Sequence, residues 1–395
     1  MDAATLRAWW WQRQGLDGTL AGASAAEVLA RSGWARSVAG ASPYLTFFSR
    51  AGLGRAAADE AVASLEIHEL PAARGCTYVV PAADFALALA AGAGFGDGDL
   101  AQAKKLGVTD RELDRLCDRT MHALAKGALD PEQLRDAVGA AARGLGDEGK
   151  KTGLTTTLPL ALGRLQQAGE IRRMPTNGRL DQQRYRYARW APNPLTGFRL
   201  SADEVHIELA RRFFAWVGAG RAKDFQWFSG LGVRASQAAL APLGLVPVEP
   251  GSDLLARPED GDALHRTKVP AKPRYALVGS IDSISLRRRD LPSLLDPADL
   301  TRAVVGARGR CDLGGIADLP SHAILDRGRV VGLWEYDVER ERIAWWPFVK
   351  KDQALEAAVA RTEAFVREEL GDARAFSLDS PKSRAPRIAA LRTAT

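Results

Sequence analysis

Eight arginines, at 164, 172, 173, 179, 184, 186, 189 and 199, stand between Leu160 and Leu200 against two acids, Glu170 and Asp181. That local excess of six equals the formal net charge of the whole 395-residue chain, +6. Guanidinium groups are planar, always charged and bidentate, so such a density suits phosphate oxygens. The competing reading is a solvated face that uses arginine in place of lysine. Other chemistries find less support. Gly144-x-x-x-x-Gly149-Lys150 is nearly a phosphate loop, but Lys151 stands where a Ser or Thr must hold magnesium. His68, His122, His206, His265 and His322 are scattered, without the pairing or the neighbouring cysteines of a metal site. No Gly-x-Ser-x-Gly elbow occurs, so acyl-transfer hydrolysis has no motif. Neither a metal nor any other cofactor is expected.

The elements that must carry the arginines follow from capping and turn signals. Leu158, Ala161, Leu162 and Leu165 recur at helical spacing and Gly169 ends the helix. Glu170 to Met174 and Gln183 to Trp190 read as two strands joined through Thr176-Asn177-Gly178, so the cluster sits on a β-hairpin beside a helix. Thr109-Asp110-Arg111-Glu112 and Asp130-Pro131-Glu132 open two earlier helices. Helices followed by a hairpin form the order of a winged helix. The same order precedes it, with helices after Leu6 and Ser24, another at Arg55 to Glu66 and a strand at Cys76 to Pro81. It follows again in helices at Ser201–Val217, Ala222–Ser229 and Arg234–Leu243.

The expected fold class is therefore α+β, with tandem winged-helix units and then a carboxy-terminal β-barrel-like region. Unit boundaries are expected at 1–98, 99–200 with the basic wing, 201–255, and 256–395, the last β-rich with a closing helix and a basic tail at Pro381 to Arg387. The Gly-rich stretch 92–98 reads as a connector. A hydrophobic fraction of 46% fills such cores. Cys76, Cys117 and Cys311 are too few and too widely spaced for a disulfide framework. The opening Met1-Asp2-Ala3-Ala4 has no basic stretch leading into an apolar one, and no apolar run reaches membrane length. The expectation is a cytoplasmic protein, more simply a monomer, with no membrane partner. The ten tryptophans include Trp9-Trp10-Trp11 and Trp227; among arginines they could stack bases, although core positions are their commoner use.

Ser42-Pro43-Tyr44-Leu45 with Phe48-Ser49-Arg50, Arg74-Gly75-Cys76-Thr77-Tyr78-Val79-Val80-Pro81, Lys223-Asp224-Phe225, Ser280-Ile281-Asp282 and Asp326-Arg327-Gly328 occur in an order that resembles a known family. It is the tandem winged-helix DNA-binding family that includes bacterial DNA glycosylases acting on crosslinked and alkylated bases. The resemblance spans nearly the whole chain and implies three winged-helix units around duplex DNA. Enzymes of that family carry Gln-x-Gln or Gln-x-Asp just before the Ser-Pro-Tyr segment, where oxygens can position water and stabilise a cationic sugar. Ser32-Gly33-Trp34 stands at that place in this chain. Gln12-Arg13-Gln14 spells the triplet but belongs to the first helix.

These readings lead first to a double-stranded DNA-binding protein of low sequence specificity, linked to repair or damage recognition. Arg172, Arg173, Arg179, Arg184, Arg186 and Arg189 would contact phosphates, and Thr155, Thr156 and Arg164 would lie on the helix facing a groove. The alternative is an N-glycosylase that uses carboxylates elsewhere, Asp282 or Glu335, in place of Ser32 and Trp34. A third reading is a protein-interaction scaffold with a merely solvated wing.

Overall fold

The computed structural model describes residues 1–395 except 183, 307, 308 and 395. Its amino-terminal helices begin where side chains can satisfy free backbone amides. Asp2 caps α1 (Ala3–Arg13), and Ser24 and Glu27 cap α2 (Ala25–Ser32) reciprocally. After β1 (Ala35–Arg36) come α3 (Ser42–Ala51), α4 (Arg55–Ala63), β2 (Ile67–Pro71), β3 (Thr77–Pro81) and α5 (Phe85–Ala91). The three strands form an antiparallel sheet in the order β1-β3-β2. The sequence reading missed β2. Its residues are buried on both faces, so it lacks the alternation that marks a strand with one wet side.

The glycine-rich connector leads into α6 (Asp97–Lys105), followed by α7 (Asp110–Ala123), α8 (Pro131–Val138), α9 (Gly146–Lys151) and α10 (Leu158–Gln167). Thr109 and Asp130 cap α7 and α8, as their types require. The hairpin pairs β4 (Ile171–Pro175) with β5 (Tyr185–Arg189), setting Arg173 opposite Tyr187 and Ile171 opposite Arg189. The strand expected over 183–190 is thus shorter, and Gln183 lies outside the described residues. Leu113, Leu116, Leu134, Leu162 and Ile171 close a core drawn entirely from this segment. Next come α11 (Ala202–Val217), α12 (Ala222–Ser229), α13 (Val233–Leu240) and the short antiparallel pair β6 (Val246–Pro247) and β7 (Leu255–Ala256).

The carboxy-terminal region corrects the expectation of a barrel-like structure. β8 (Tyr275–Val278), β11 (His322–Asp326), β12 (Arg329–Asp337) and β13 (Arg342–Pro347) form an open antiparallel sheet in the order β13-β12-β11-β8. β9 (Ala303–Gly306) and β10 (Gly309–Asp312) pair separately. The sheet stays open, with both faces covered by helices. Leu277, Ile324, Tyr336 and Ile343 pack with α3 and the helix Gln353–Phe365. Ala276, Val278, Leu325 and Leu333 pack with the α1 tryptophans and the helix Pro381–Thr393. The segment read as a basic tail begins that helix, where Arg384 pairs with Asp372 at 2.8 Å and Arg387 with Glu335 at 2.7 Å.

Apart from the local core of 99–200, the main cores join residues remote in sequence. One combines α2 and α3 with β11, β12 and the helix Gln353–Phe365, and another combines β3 and α5 with Trp190, α11 and α12. Buried cations tie the same seams. Arg50 and Asp282, both fully buried, form a two-point ion pair at 2.8 and 2.9 Å. Arg287 donates to the carbonyls of Ser32 and Trp34 at 2.6 Å each, and Arg288 to those of Ala219 and Val217 at 2.6 and 2.8 Å. Gly33, at φ 86°, is required there, since a Cβ would lie 1.9 Å from the Arg287 guanidinium.

Candidate active site

Ser32 and Trp34, the residues expected at the family's triplet position, offer no open functional group. The Ser32 hydroxyl donates to the Val28 carbonyl at 2.8 Å within α2, and Trp34 Nε1 donates to Asp84 Oδ2 at 2.8 Å. Both side chains are buried in packed surroundings. Gln14 is buried too, tied to the Trp216 carbonyl at 2.8 Å and the Ser283 hydroxyl at 2.6 Å. Asp282 caps a short helix and faces Arg50; burial would raise its carboxyl, but the Arg50 charge outweighs this and holds it below the usual range. Glu335 is buried on β12, with Oε1 accepting from Arg387 at 2.7 Å. Both alternative carboxylates are therefore buried and ion-paired, Asp282 with Arg50 of α3 and Glu335, on β12, with Arg387.

The structure divides the expected DNA-contacting residues by what their charges already touch. Arg164 pairs with Asp114 at 2.8 Å on the surface. Arg179 pairs with Asp181 and donates to the Leu370 carbonyl at 2.9 Å. Arg173 is drawn inward onto Glu69 at 3.1 Å. Arg186 donates to the Ala128 carbonyl at 2.6 Å and Arg189 to that of Met121 at 2.9 Å. Both heads stay exposed, and a carbonyl does not cancel their charge. Among the described residues, Arg172, half-buried, and Arg184, exposed, make no ion pair. Thr155 is exposed and Thr156 half-buried at the entrance to α10.

The group that sequence reasoning missed is centred on Glu69. β2 places this carboxylate in the core, 1% exposed, beside the end of β1 and under the hairpin. Ser37 Oγ donates to Glu69 Oε1 at 2.5 Å, while Oε2 takes the ion pair from Arg173 and accepts no well-aligned hydrogen bond. Arg173 also donates to Thr77 Oγ1 at 3.3 Å and stacks 4.3 Å over the Tyr185 ring. Burial, then the Glu69 charge, pushes the Tyr185 hydroxyl up. Burial works against the charged form of Arg173, yet Glu69 more than compensates and holds it above its ordinary value. Thr77 and Arg173 in turn line a cleft of about 610 Å³, which Leu89, Phe95, Leu113 and Gln167 wall on its other sides. That volume admits a planar base, and Glu69, which does not itself line the cleft, stands behind Arg173. The only sequence signal was an acid within an otherwise strand-length buried run, Ile67-His68-Glu69-Leu70.

The chain is thus α+β, with a basic hairpin beside a cleft large enough for a planar base. The chain is a member of the AlkZ-like DNA glycosylases, whose family model matches residues 33–376. Among solved structures, the Streptomyces sahachiroi DNA glycosylase AlkZ has a similar fold, with a TM-score of 0.68 and 19% identity over 95% of this chain and 98% of that one. No curated protein sequence matches. The resemblance drawn from the Ser-Pro-Tyr segment and the motifs after it is thereby confirmed.

Proposed function

We propose that this chain is a DNA N-glycosylase that removes damaged bases from duplex DNA, a reading better supported than DNA binding without chemistry. The observation that carries it is the family match over 33–376. In this reading the helical units are winged helices and β4–β5 is the wing. Arg172, Arg184, Arg186 and Arg189 hold backbone phosphates, which gives affinity with little sequence preference. The damaged base turns out of the stack into the cleft behind Thr77 and Arg173. As Arg173 moves onto phosphate, Glu69 is freed to act on water. The C1′–N bond breaks with its electron pair leaving on the base, the water oxygen bonds to C1′, and the water proton passes to Glu69 and on to solvent. This hydrolysis consumes only water, and one chain carries every group invoked.

The test incubates the full chain with duplex DNA carrying one alkylated purine, then reveals abasic sites by alkaline strand cleavage. Cleavage above the protein-free rate is expected, with Glu69→Gln lowering it by at least about 100-fold while binding changes less than about threefold, the usual signature of a lost acid–base group. Absence of cleavage across alkylated and crosslinked substrates would return the chain to a binding-only role. A parallel loss of binding in Glu69→Gln would make Glu69 a hairpin anchor instead.

A further inference from the structure

Trp227 on α12 is flanked by two guanidinium groups, Arg74 with its Cζ 3.9 Å from the ring centroid and Arg289 at 4.6 Å. Arg36 on β1 lies 5.3 Å over the Tyr78 ring, and Arg36, Tyr78 and Trp227 border one shallow depression. The charges of these arginines are poorly compensated. Arg289 has Asp318 at 3.2 Å, but neither Arg36 nor Arg74 joins an ion pair among the described residues. Arg36 spends a single long bond of 3.4 Å on the Thr77 carbonyl, and Arg74 a contact of 3.8 Å on Cys76 Sγ. Both are only half-exposed, which makes an unmatched charge costlier than on open surface. A guanidinium laid flat on an aromatic ring keeps its in-plane N–H fork free for a bidentate anion.

We propose that Arg36 and Arg74, the latter held over the Trp227 ring, form a second phosphate-binding site that grips the DNA backbone apart from the hairpin. The proposal rests on the DNA-binding part of the function proposed above. Position supports the same ligand. Thr77 accepts from Arg36 through its carbonyl and from Arg173 of β4 through its hydroxyl, so the site adjoins the hairpin across a single residue. A strand lying along the hairpin arginines would pass from β5 across the mouth of the cleft to Arg36 and Arg74, placing phosphates on both sides of the extruded nucleotide.

The experiment is anisotropy titration of the full chain with a short fluorescein-labelled duplex carrying one alkylated purine, over a salt series. Arg36→Ala and Arg74→Ala are each expected to weaken binding by about tenfold at 0.1 M salt and to lower the log–log salt slope by about one, the signature of one lost phosphate. Arg74→Lys should retain the slope, which separates charge from folding. Trp227→Leu should cost several-fold affinity by releasing Arg74 from its platform. If wild type binds with a steep slope that hairpin substitutions flatten, while Arg36→Ala and Arg74→Ala leave it unchanged, the second site is wrong and the DNA reading stands. If Arg74→Ala lowers the slope only while also lowering the urea-unfolding midpoint, the effect is structural and the site is again wrong. A wild-type chain with no salt-dependent affinity for duplex DNA overturns both.

Discussion

Neighbouring residues on β2 take opposite roles. Glu69 forms an ion pair with Arg173 at 3.1 Å, whereas His68 is wedged between Phe85 and Trp190 at ring-centroid distances of 6.2 and 5.3 Å with neither ring nitrogen hydrogen-bonded. Burial, reinforced by Arg172 and Arg173, pushes His68 down from 6.5 to about 3. The unfolded chain takes up this proton below pH 6.5 and the folded chain does not until about 3, so stability is full above 6.5 and lost as pH falls through that window. The loss is about 1.4 kcal/mol per pH unit for this histidine. Urea unfolding of the wild type and His68→Phe at pH 7 and pH 5 is expected to show about 2 kcal/mol more acid destabilisation in the wild type. Equal pH dependence would mean that His68 is charged or open in the native state. The type of each chemical group was legible in the sequence; its partner was not, because Glu69, Arg173 and Tyr185 come from separate elements.

At the scale of elements, helix starts were the most legible feature, since Ser24, Thr109, Asp130 and Ser201 announce themselves by side chains that reach their own first turns. The hairpin was legible from its turn, but the sequence could not sort its arginines. Replacing Arg172, Arg184, Arg186 and Arg189 together by alanine is expected to lower the salt slope of DNA binding by about three to four. Replacing Arg164 and Arg179 should lower it by less than about one, because their charges already face Asp114 and Asp181. Arg179→Ala should instead cost about 1–2 kcal/mol of folding stability by stranding buried Asp181. Equal slopes for the two sets, measured by anisotropy, would refute the division.

At the scale of the whole molecule, the C-terminal sheet is the scaffold against which the amino-terminal and third helical units are fixed. Arg287 and Arg288 supply the donors that their backbone carbonyls need at those seams. Arg287 also lies 4.6 Å over Trp216 and Arg288 3.9 Å over Trp10, so each is packed as well as bonded. Arg287→Met leaves the carbonyls of Ser32 and Trp34 buried without a donor and is expected to cost about 2–4 kcal/mol in chemical unfolding. A change below about 0.5 kcal/mol, the scale of a surface substitution, would show that the seam is held by apolar packing alone. Gly40 makes the same point from the backbone, since a Cβ there would stand 2.2 Å from the Ala375 carbonyl oxygen.

By itself the sequence determined the α+β class, most helix starts, the basic hairpin and the family, because caps, turns, charge density and ordered motifs are written in neighbouring residues. The tertiary structure alone decided that the C-terminal sheet stays open, that Asp282 and Glu335 are buried in ion pairs, and that Glu69 meets Arg173 beside a cleft. It also decided which arginines keep their charge for a ligand. The physical reason is common to all four: burial and ion pairing depend on residues brought together across long chain separations, and local periodicity carries no record of those partners.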